Sequence, residues 1–290
     1  MERTEITGRT RLTGLLGSPV SHSISPAMHN TAFSMLGLDY VYLGFDVGET
    51  TLKDAVTGLK TLNARGFNLT MPNKNKILEY LDHLSPAAEM IQAVNTVVND
   101  NGILTGHNTD GVGYMQSVRD AGYDIIGKTV TVMGAGGAAT AICAQAALDG
   151  VKKIHIFLRS TSRFYGRTRS LADTINCTTA CEAILHDNSD QKALKEALEE
   201  SVMLINATSV GMAPDTEASI VTDTRLLKPE LIVSDIIYNP RETRLLHDAK
   251  EQGCRTFNGL YMLLYQGAEA FRLWTGQAMP TEPIKDKFFK

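Results

Sequence analysis

Thr129-Val130-Thr131-Val132-Met133-Gly134-Ala135-Gly136-Gly137-Ala138-Ala139 decides how this chain is read. A short β-branched run enters a glycine turn, and a helix of small residues leaves it. In that strand–turn–helix setting, Gly134-x-Gly136-x-x-Ala139 fits the dinucleotide-binding fingerprint. Gly134 permits the tight turn, Gly136 lets a pyrophosphate approach the backbone, and Ala139 allows close helix–strand packing. The helix N-terminus attracts the anionic phosphates.

The next strand, Lys153 to Arg159, bears on which dinucleotide. An NAD site usually places an acid about 20 residues beyond the glycines, on the ribose 2′-hydroxyl. No Asp or Glu lies between Asp149 and Asp173; Arg159, Ser160, Thr161, Ser162 and Arg163 fill that stretch instead. Guanidinium groups make charge-assisted, often bidentate bonds to phosphate. The expected cofactor is therefore NADP, with NAD kept open; the bland alternative is arginines that only solvate a surface helix.

Working outward, a polar helix spans about Arg163 to Asn176, and Val202 to Ala207 and Leu231 to Ile237 complete the strands of a doubly wound sheet. Upstream, strands at Leu12 to Gly17, Tyr40 to Val47 and Gly66 to Thr70 alternate with helices. Those helices run from Ser25 (N-cap) and Pro26 to Gly37, from Glu49 to Asn63 and from Lys74 to Leu81. A hairpin from Val94 to Gly106 adds an antiparallel edge. The fold class is α/β: an N-terminal α/β substrate-binding catalytic domain over 1–112, then a Rossmann domain over 113–259. The helix Leu260 to Thr275 has no acceptor left in the Rossmann domain, so residues 260–290 are expected to pack back on the first.

Bulk properties exclude several classes. The 290 residues are 43% hydrophobic and 21% charged, with a formal charge of −4, which provides no basic field for nucleic acid. The first residues lack the apolar stretch of a secretion signal. The longest apolar run, Ala138 to Leu148, is broken by Gln145 and is too short for a bilayer, so no membrane partner is expected. Cys143, Cys177, Cys181 and Cys254 lack metal-ligand spacing; reduced thiols, a cytosolic enzyme and no metal are expected. A homodimer is the commonest assembly on general grounds.

Two polar segments carry the chemistry. Phe67-Asn68-Leu69-Thr70-Met71-Pro72-Asn73-Lys74 offers a lysine, and Gly106-His107-Asn108-Thr109-Asp110-Gly111 a carboxylate, each among small polar residues suited to a hydroxylated ligand. With a dinucleotide module downstream, they suggest an oxidoreductase acting on a small polyol or keto acid. Each residue has a plainer reading: Lys74 at a helix start, Asp110 or the serines as caps, Asn95 in a turn, Tyr238 and Gln266 as packing residues. His22 reads as a structural hydrogen-bonder, because Lys74 already fills the proton role.

The segment Ser21-His22-Ser23-Ile24-Ser25-Pro26-Ala27-Met28-His29-Asn30 resembles the H-S-x-S-P-x-x-H-N segment of shikimate dehydrogenases. Asn68 to Lys74, Ala93-Val94-Asn95-Thr96, Asn108-Thr109-Asp110-Gly111, Asn206 to Met212, Tyr238-Asn239-Pro240 and Gln266-Gly267-Ala268 extend the resemblance along nearly the whole chain, in the family's order. It implies reversible, NADP-dependent interconversion of 3-dehydroshikimate and shikimate, a step of aromatic amino acid biosynthesis, with Lys74 and Asp110 as the catalytic pair. Ser23, Ser25, Thr70, Asn95, Tyr238 and Gln266 would join that pair in holding the substrate's carboxylate and hydroxyls. Gly134, Ala135, Gly136, Gly137, Ala138, Arg159, Ser160, Thr161, Arg163, Ser209, Ile236 and Gly259 would line the cofactor.

The family's N-R-T-x-x-R segment here reads Leu158-Arg159-Ser160-Thr161-Ser162-Arg163, with the arginines kept and the leading Asn replaced. A branch that also oxidises quinate, often with NAD, carries an acid there, which this chain lacks. Its C-terminal Tyr265 to Phe271 and Leu273-Trp274-Thr275-Gly276 nevertheless look more like that branch. A quinate/shikimate dehydrogenase using NAD stays open. So does a catalytically inactive NAD(P)-binding regulatory protein, against which the intact Lys74 and Asp110 argue.

Overall fold

A computed structural model describes residues 5–289. They form two units: one runs to Thr109 and takes in the chain from Leu264 onward, and the other is Asp110–Leu263.

In the first unit, β1 (Arg11–Gly17), α1 (Ser25–Met35), β2 (Tyr40–Asp46), α2 (Leu52–Thr61) and β3 (Gly66–Leu69) alternate. A 3-10 turn (Lys76–Tyr80), β4 (His83–Leu84), α3 (Pro86–Ile91), β5 (Thr96–Asp100) and β6 (Ile103–His107) follow. The sheet order is β2-β1-β3-β5-β6-β4. β1 pairs in parallel with β2 and β3, while β3–β5 and β5–β6 are antiparallel. Because β5 runs backwards, its first residues lie at the end of the sheet where β1, β3 and β6 finish. Leu52, Val56 and Leu59, four and three apart, form the buried face of α2 against Leu16, Phe67 and Val97.

Three expectations are corrected here. The helix expected over Lys74 to Leu81 is only the 3-10 turn, because side chains tie the preceding turn elsewhere: Asn73 Nδ2 donates to Val47 O (2.7 Å) and Asn75 Nδ2 to Gln92 O (2.7 Å). Ser25 is not the N-cap of α1; Ile24 is, and the Ser23 hydroxyl accepts the Ser25 N–H instead (3.2 Å). The hairpin is not the edge of its sheet, since the two-residue β4 pairs with β6 outside it.

The second unit runs α4 (Asp110–Asp120), β7 (Thr129–Met133), α5 (Gly137–Asp149), β8 (Lys153–Leu158), α6 (Tyr165–Thr178), β9 (Glu182–Asp187) and α7 (Gln191–Glu200). Then come β10 (Met203–Asn206), β11 (Ile232–Asp235), α8 (Arg244–Glu251) and β12 (Arg255–Phe257). The sheet, all parallel, has the order β12-β11-β10-β7-β8-β9, the doubly wound arrangement with its strand order reversing between β7 and β10. Met133, Phe157, Leu204 and Val233 from four neighbouring strands share one core.

The boundary between units falls inside α9 (Leu260–Thr275), which is followed by α10 (Thr281–Phe288). In the first unit α9 delivers Trp274, 1% exposed, whose Nε1 donates to Val97 O at 3.0 Å. Beside it lies His29, fully buried, stacked on Tyr42 (4.5 Å, 9°) and tilted against Trp274 (5.3 Å). Neither ring nitrogen of His29 has a hydrogen-bond partner among the described residues, and burial pushes its pKa from 6.5 down to about 3. Between those values the unfolded chain binds the extra proton, so this contribution to stability is whole above pH 6.5 and falls as the pH drops toward 3. The slope there approaches about 1.4 kcal/mol per pH unit. His29→Leu is expected to flatten it, which thermal unfolding of both proteins at about pH 7 and about pH 5 checks. Parallel losses in the two proteins would exonerate His29.

Among the described residues no helix is long and apolar enough to cross a membrane.

Candidate active site

In the second unit the carboxyl ends of β7 and β10 flank the point where the strand order reverses, the usual ligand position in such sheets. A cavity of about 830 Å³ opens there. Gly134 to Ala138 form one wall, Leu158, Arg159, Ser162, Phe164 and Asn188 a second, and Ala207, Thr208, Ser209 and Met212 a third. Ile236, Ile237, Tyr238 and Asn239 complete it.

The local sequence explains each wall. Gly134 has φ +121°, and a Cβ there would stand 2.6 Å from Ala207 O, so the turn and the approach of β10 both need glycine. Gly136 and Gly137 face open space, and the N-terminus of α5 has no side-chain cap, which leaves its first amides for an anion. These features fit a dinucleotide pyrophosphate. Behind the pocket lies fully buried Asp235. Its Oδ2 accepts from Asn206 Nδ2 (3.0 Å) and the Thr243 hydroxyl (2.8 Å), and its Oδ1 from Ile237 N–H (2.9 Å). Burial raises the Asp235 pKa, against the pull of those three bonds. Asn206 Oδ1 in turn accepts the Thr208 N–H and hydroxyl (3.0 and 2.7 Å). One buried network thus sets the two loops that bear Thr208 and Ile237.

The expected cofactor residues divide. Gly134 to Ala138, Arg159, Ser209 and Ile236 line the cavity; Ser160, Thr161, Arg163 and Gly259 do not. The Ser160 amide is bonded to Asp187, and the Arg163 guanidinium lies over the Phe164 ring at 4.7 Å. Gly259 acts from behind, where a Cβ would press into the Ile236 backbone. Tyr238, expected at the substrate, stands on this cavity and is 47% exposed.

In the first unit the polar residues gather at one end of the sheet. Ser23 and Ser25 lie at the start of α1, Thr70 and Lys74 just beyond β3, and Asn95 just before β5; all but the buried Asn95 are half-buried. The Asn95 amide locks the end of β6, accepting Thr109 N–H (2.8 Å) and donating to the Thr109 hydroxyl (3.0 Å). Next to it Asn68 accepts from the Tyr42 hydroxyl (2.7 Å) and donates to the Thr96 hydroxyl (2.9 Å) and Asn95 O (3.1 Å). Val94 N–H donates to Lys74 O at 2.8 Å, which ties the lysine backbone to the same end. Gln266 is half-buried on α9. Asp110 is the first residue of α4, where an acid suits the helix dipole.

Residues 15–97 match the family described as the shikimate dehydrogenase substrate binding domain, and 259–287 the shikimate 5′-dehydrogenase C-terminal domain. The NADP-dependent shikimate dehydrogenase of Listeria innocua is 56% identical over 284 residues, 98% of this chain and 97% of that protein. This chain belongs to the shikimate dehydrogenase family. As a member it is an oxidoreductase. A crystal structure of shikimate 5-dehydrogenase from Listeria monocytogenes, in complex with shikimate and NAD, is 56% identical and superposes with a TM-score of 0.95, covering 99% of this chain and 98% of that one. Quinate dehydrogenase from Corynebacterium glutamicum in complex with NAD is 30% identical, with a TM-score of 0.84 over 97% of this chain and 99% of that one.

Several residues at these family sites escaped the sequence reading. Asn68 and Thr109 stood in quoted motifs without a role; the available signal was an asparagine inside the otherwise apolar strand Gly66–Leu69. Phe164, Asn188 and Met212 reach the cofactor cavity only through the folding of their loops.

Proposed function

We infer that this chain reduces 3-dehydroshikimate to shikimate, reversibly, using NADP(H) held by the second unit. The observation that carries the reading is the joining of Gly134 to Ala138 with Arg159 around one cavity where the strand order reverses. When bound, NADPH supplies the hydride. The uncapped amides of α5 hold its pyrophosphate, and Arg159 with Ser162 and Asn188 holds the 2′-phosphate end. Ser23, Ser25, Thr70, Asn95, Tyr238 and Gln266 match the carboxylate and hydroxyls of a small polyhydroxylated acid. Lys74 Nζ gives a proton to the oxygen that becomes a hydroxyl and takes it back in the oxidative direction, with Asp110 as the other member of the acid–base pair. All four cysteines are free, as suits a reducing compartment, and a cytosolic location belongs to this reading.

Quinate oxidation with NAD is the second reading; the Listeria monocytogenes relative is in complex with shikimate and NAD, and the Corynebacterium glutamicum quinate dehydrogenase is in complex with NAD. Initial oxidation rates of shikimate and of quinate, each with NADP and with NAD, separate the two. Shikimate with NADP is expected to lead. Faster turnover of quinate, or a preference for NAD, would move the chain to the other branch, and NADP binding without turnover of either acid would remove the enzyme assignment.

A further inference from the structure

No acid lies in the segment between β8 and α6, yet one stands against that segment from the neighbouring strand. Asp187 is the last residue of β9. Its Oδ2 accepts the Ser160 backbone N–H at 2.7 Å, and its Oδ1 accepts the Ser189 N–H at 2.8 Å and the Ser189 hydroxyl at 2.6 Å. The hydrogen bonds from Ser189, then those from Ser160, hold its carboxyl well below the usual carboxylate range. Ser160 sits inside a turn closed by Ser162 N–H on Arg159 O (2.9 Å), and the Phe164 N–H is taken by the Ser162 hydroxyl (3.2 Å). Asn188 N–H donates to Leu158 O at 3.1 Å. The carboxylate therefore joins the ends of β8 and β9 and holds the turn from which Arg159, Ser162 and Phe164 reach the cavity.

Asp187 does not line the cavity, so its carboxylate is not placed to meet a ribose 2′-hydroxyl there in the manner of an NAD site. Arg159 is exposed, and fixing its backbone in advance lowers the ordering cost of binding phosphate with so long a side chain. We propose that Asp187 is a positioning residue that sets discrimination between NADP and NAD by fixing the turn that carries Arg159. NAD lacks the phosphate that Arg159 would meet, so loosening the turn weakens NADP selectively. The proposal rests on the cofactor site inferred above.

The test is a double-mutant cycle on the kcat/KM ratio of NADP over NAD, with Asp187→Asn, Arg159→Ala and the double variant, and thermal unfolding of each. In Asp187→Asn an amide NH2 replaces one acceptor and faces a backbone donor, so one end of the link is released. The ratio is expected to fall about tenfold, the usual worth of a hydrogen bond to a charged group. In the Arg159→Ala background the same change should add almost nothing. Equal losses with both cofactors, an unmoved ratio, or losses that multiply in the double variant would overturn the proposal. Ser189→Ala removes one bond and keeps the charge, and should lower the ratio about threefold. If Asp187→Asn does not fold, an unmoved ratio in Ser189→Ala overturns the proposal by itself. A wild-type preference for NAD would overturn the cofactor reading alone, since the role of Asp187 is judged on the change in the ratio.

Discussion

Lys74→Ala is expected to lower kcat by about 100-fold or more, the range for a positioned acid–base group. The substitution leaves the surrounding backbone anchored. Asn73 keeps its bond to Val47 O, Val94 N–H keeps its bond to Lys74 O, and neither depends on the ammonium group. Thermal unfolding should therefore change little, and NADP binding in the second unit should be unaffected. The loss should appear in turnover with saturating substrate and cofactor, which distinguishes chemistry from affinity. Asp110→Asn should lower turnover as well, with a smaller loss if its task is to orient the lysine. Near-normal turnover in Lys74→Ala would remove the lysine from the mechanism.

Trp274→Ala is expected to destabilise the protein by about 3–5 kcal/mol, the cost of emptying a large buried aromatic site. The indole is 1% exposed, packs against His29 and Tyr42, and donates to Val97 O near the start of β5. Its own carbonyl accepts Arg65 Nε–H at 2.8 Å. Removing the ring opens a cavity and leaves the Val97 carbonyl without this donor, so two penalties add. Denaturant unfolding of wild type and variant measures the difference. A loss below about 1 kcal/mol would mean that the return of α9 to the first sheet is held by other contacts.

Both expectations draw on residues that were legible in different degrees. Lys74 stood in a motif, although the element around it was misread: side-chain bonds from Asn73 and Asn75 compete with helix formation, and periodicity does not report them. The return of α9 is expected from the sequence because the strands legible there leave it no acceptor in the second unit. That sheet also includes β9 and β12, which the sequence does not display. β12 has three residues and β4 two, too few to display an alternation. β9 is longer, but its burial pattern is mixed, with half-buried residues from Ile184 onward.

The sequence by itself determined what depends on neighbours in the chain. A β-branched run followed by Gly134-x-Gly136 specifies a strand, a left-handed turn and an open helix start, because only glycine accepts φ +121° there and the amides of the next turn have no internal partners. The motif residues Lys74, Asn95 and Asp110 were legible for the same reason, as short words with local meaning. The tertiary structure alone decided which distant residues complete the sites. Asp187 meets Ser160 across 27 positions of chain, Tyr42 meets Asn68 across 26, and Asp235 meets Asn206 across 29. Such pairs arise from strand order and register, which bring residues of separate strands together; no local propensity encodes that meeting.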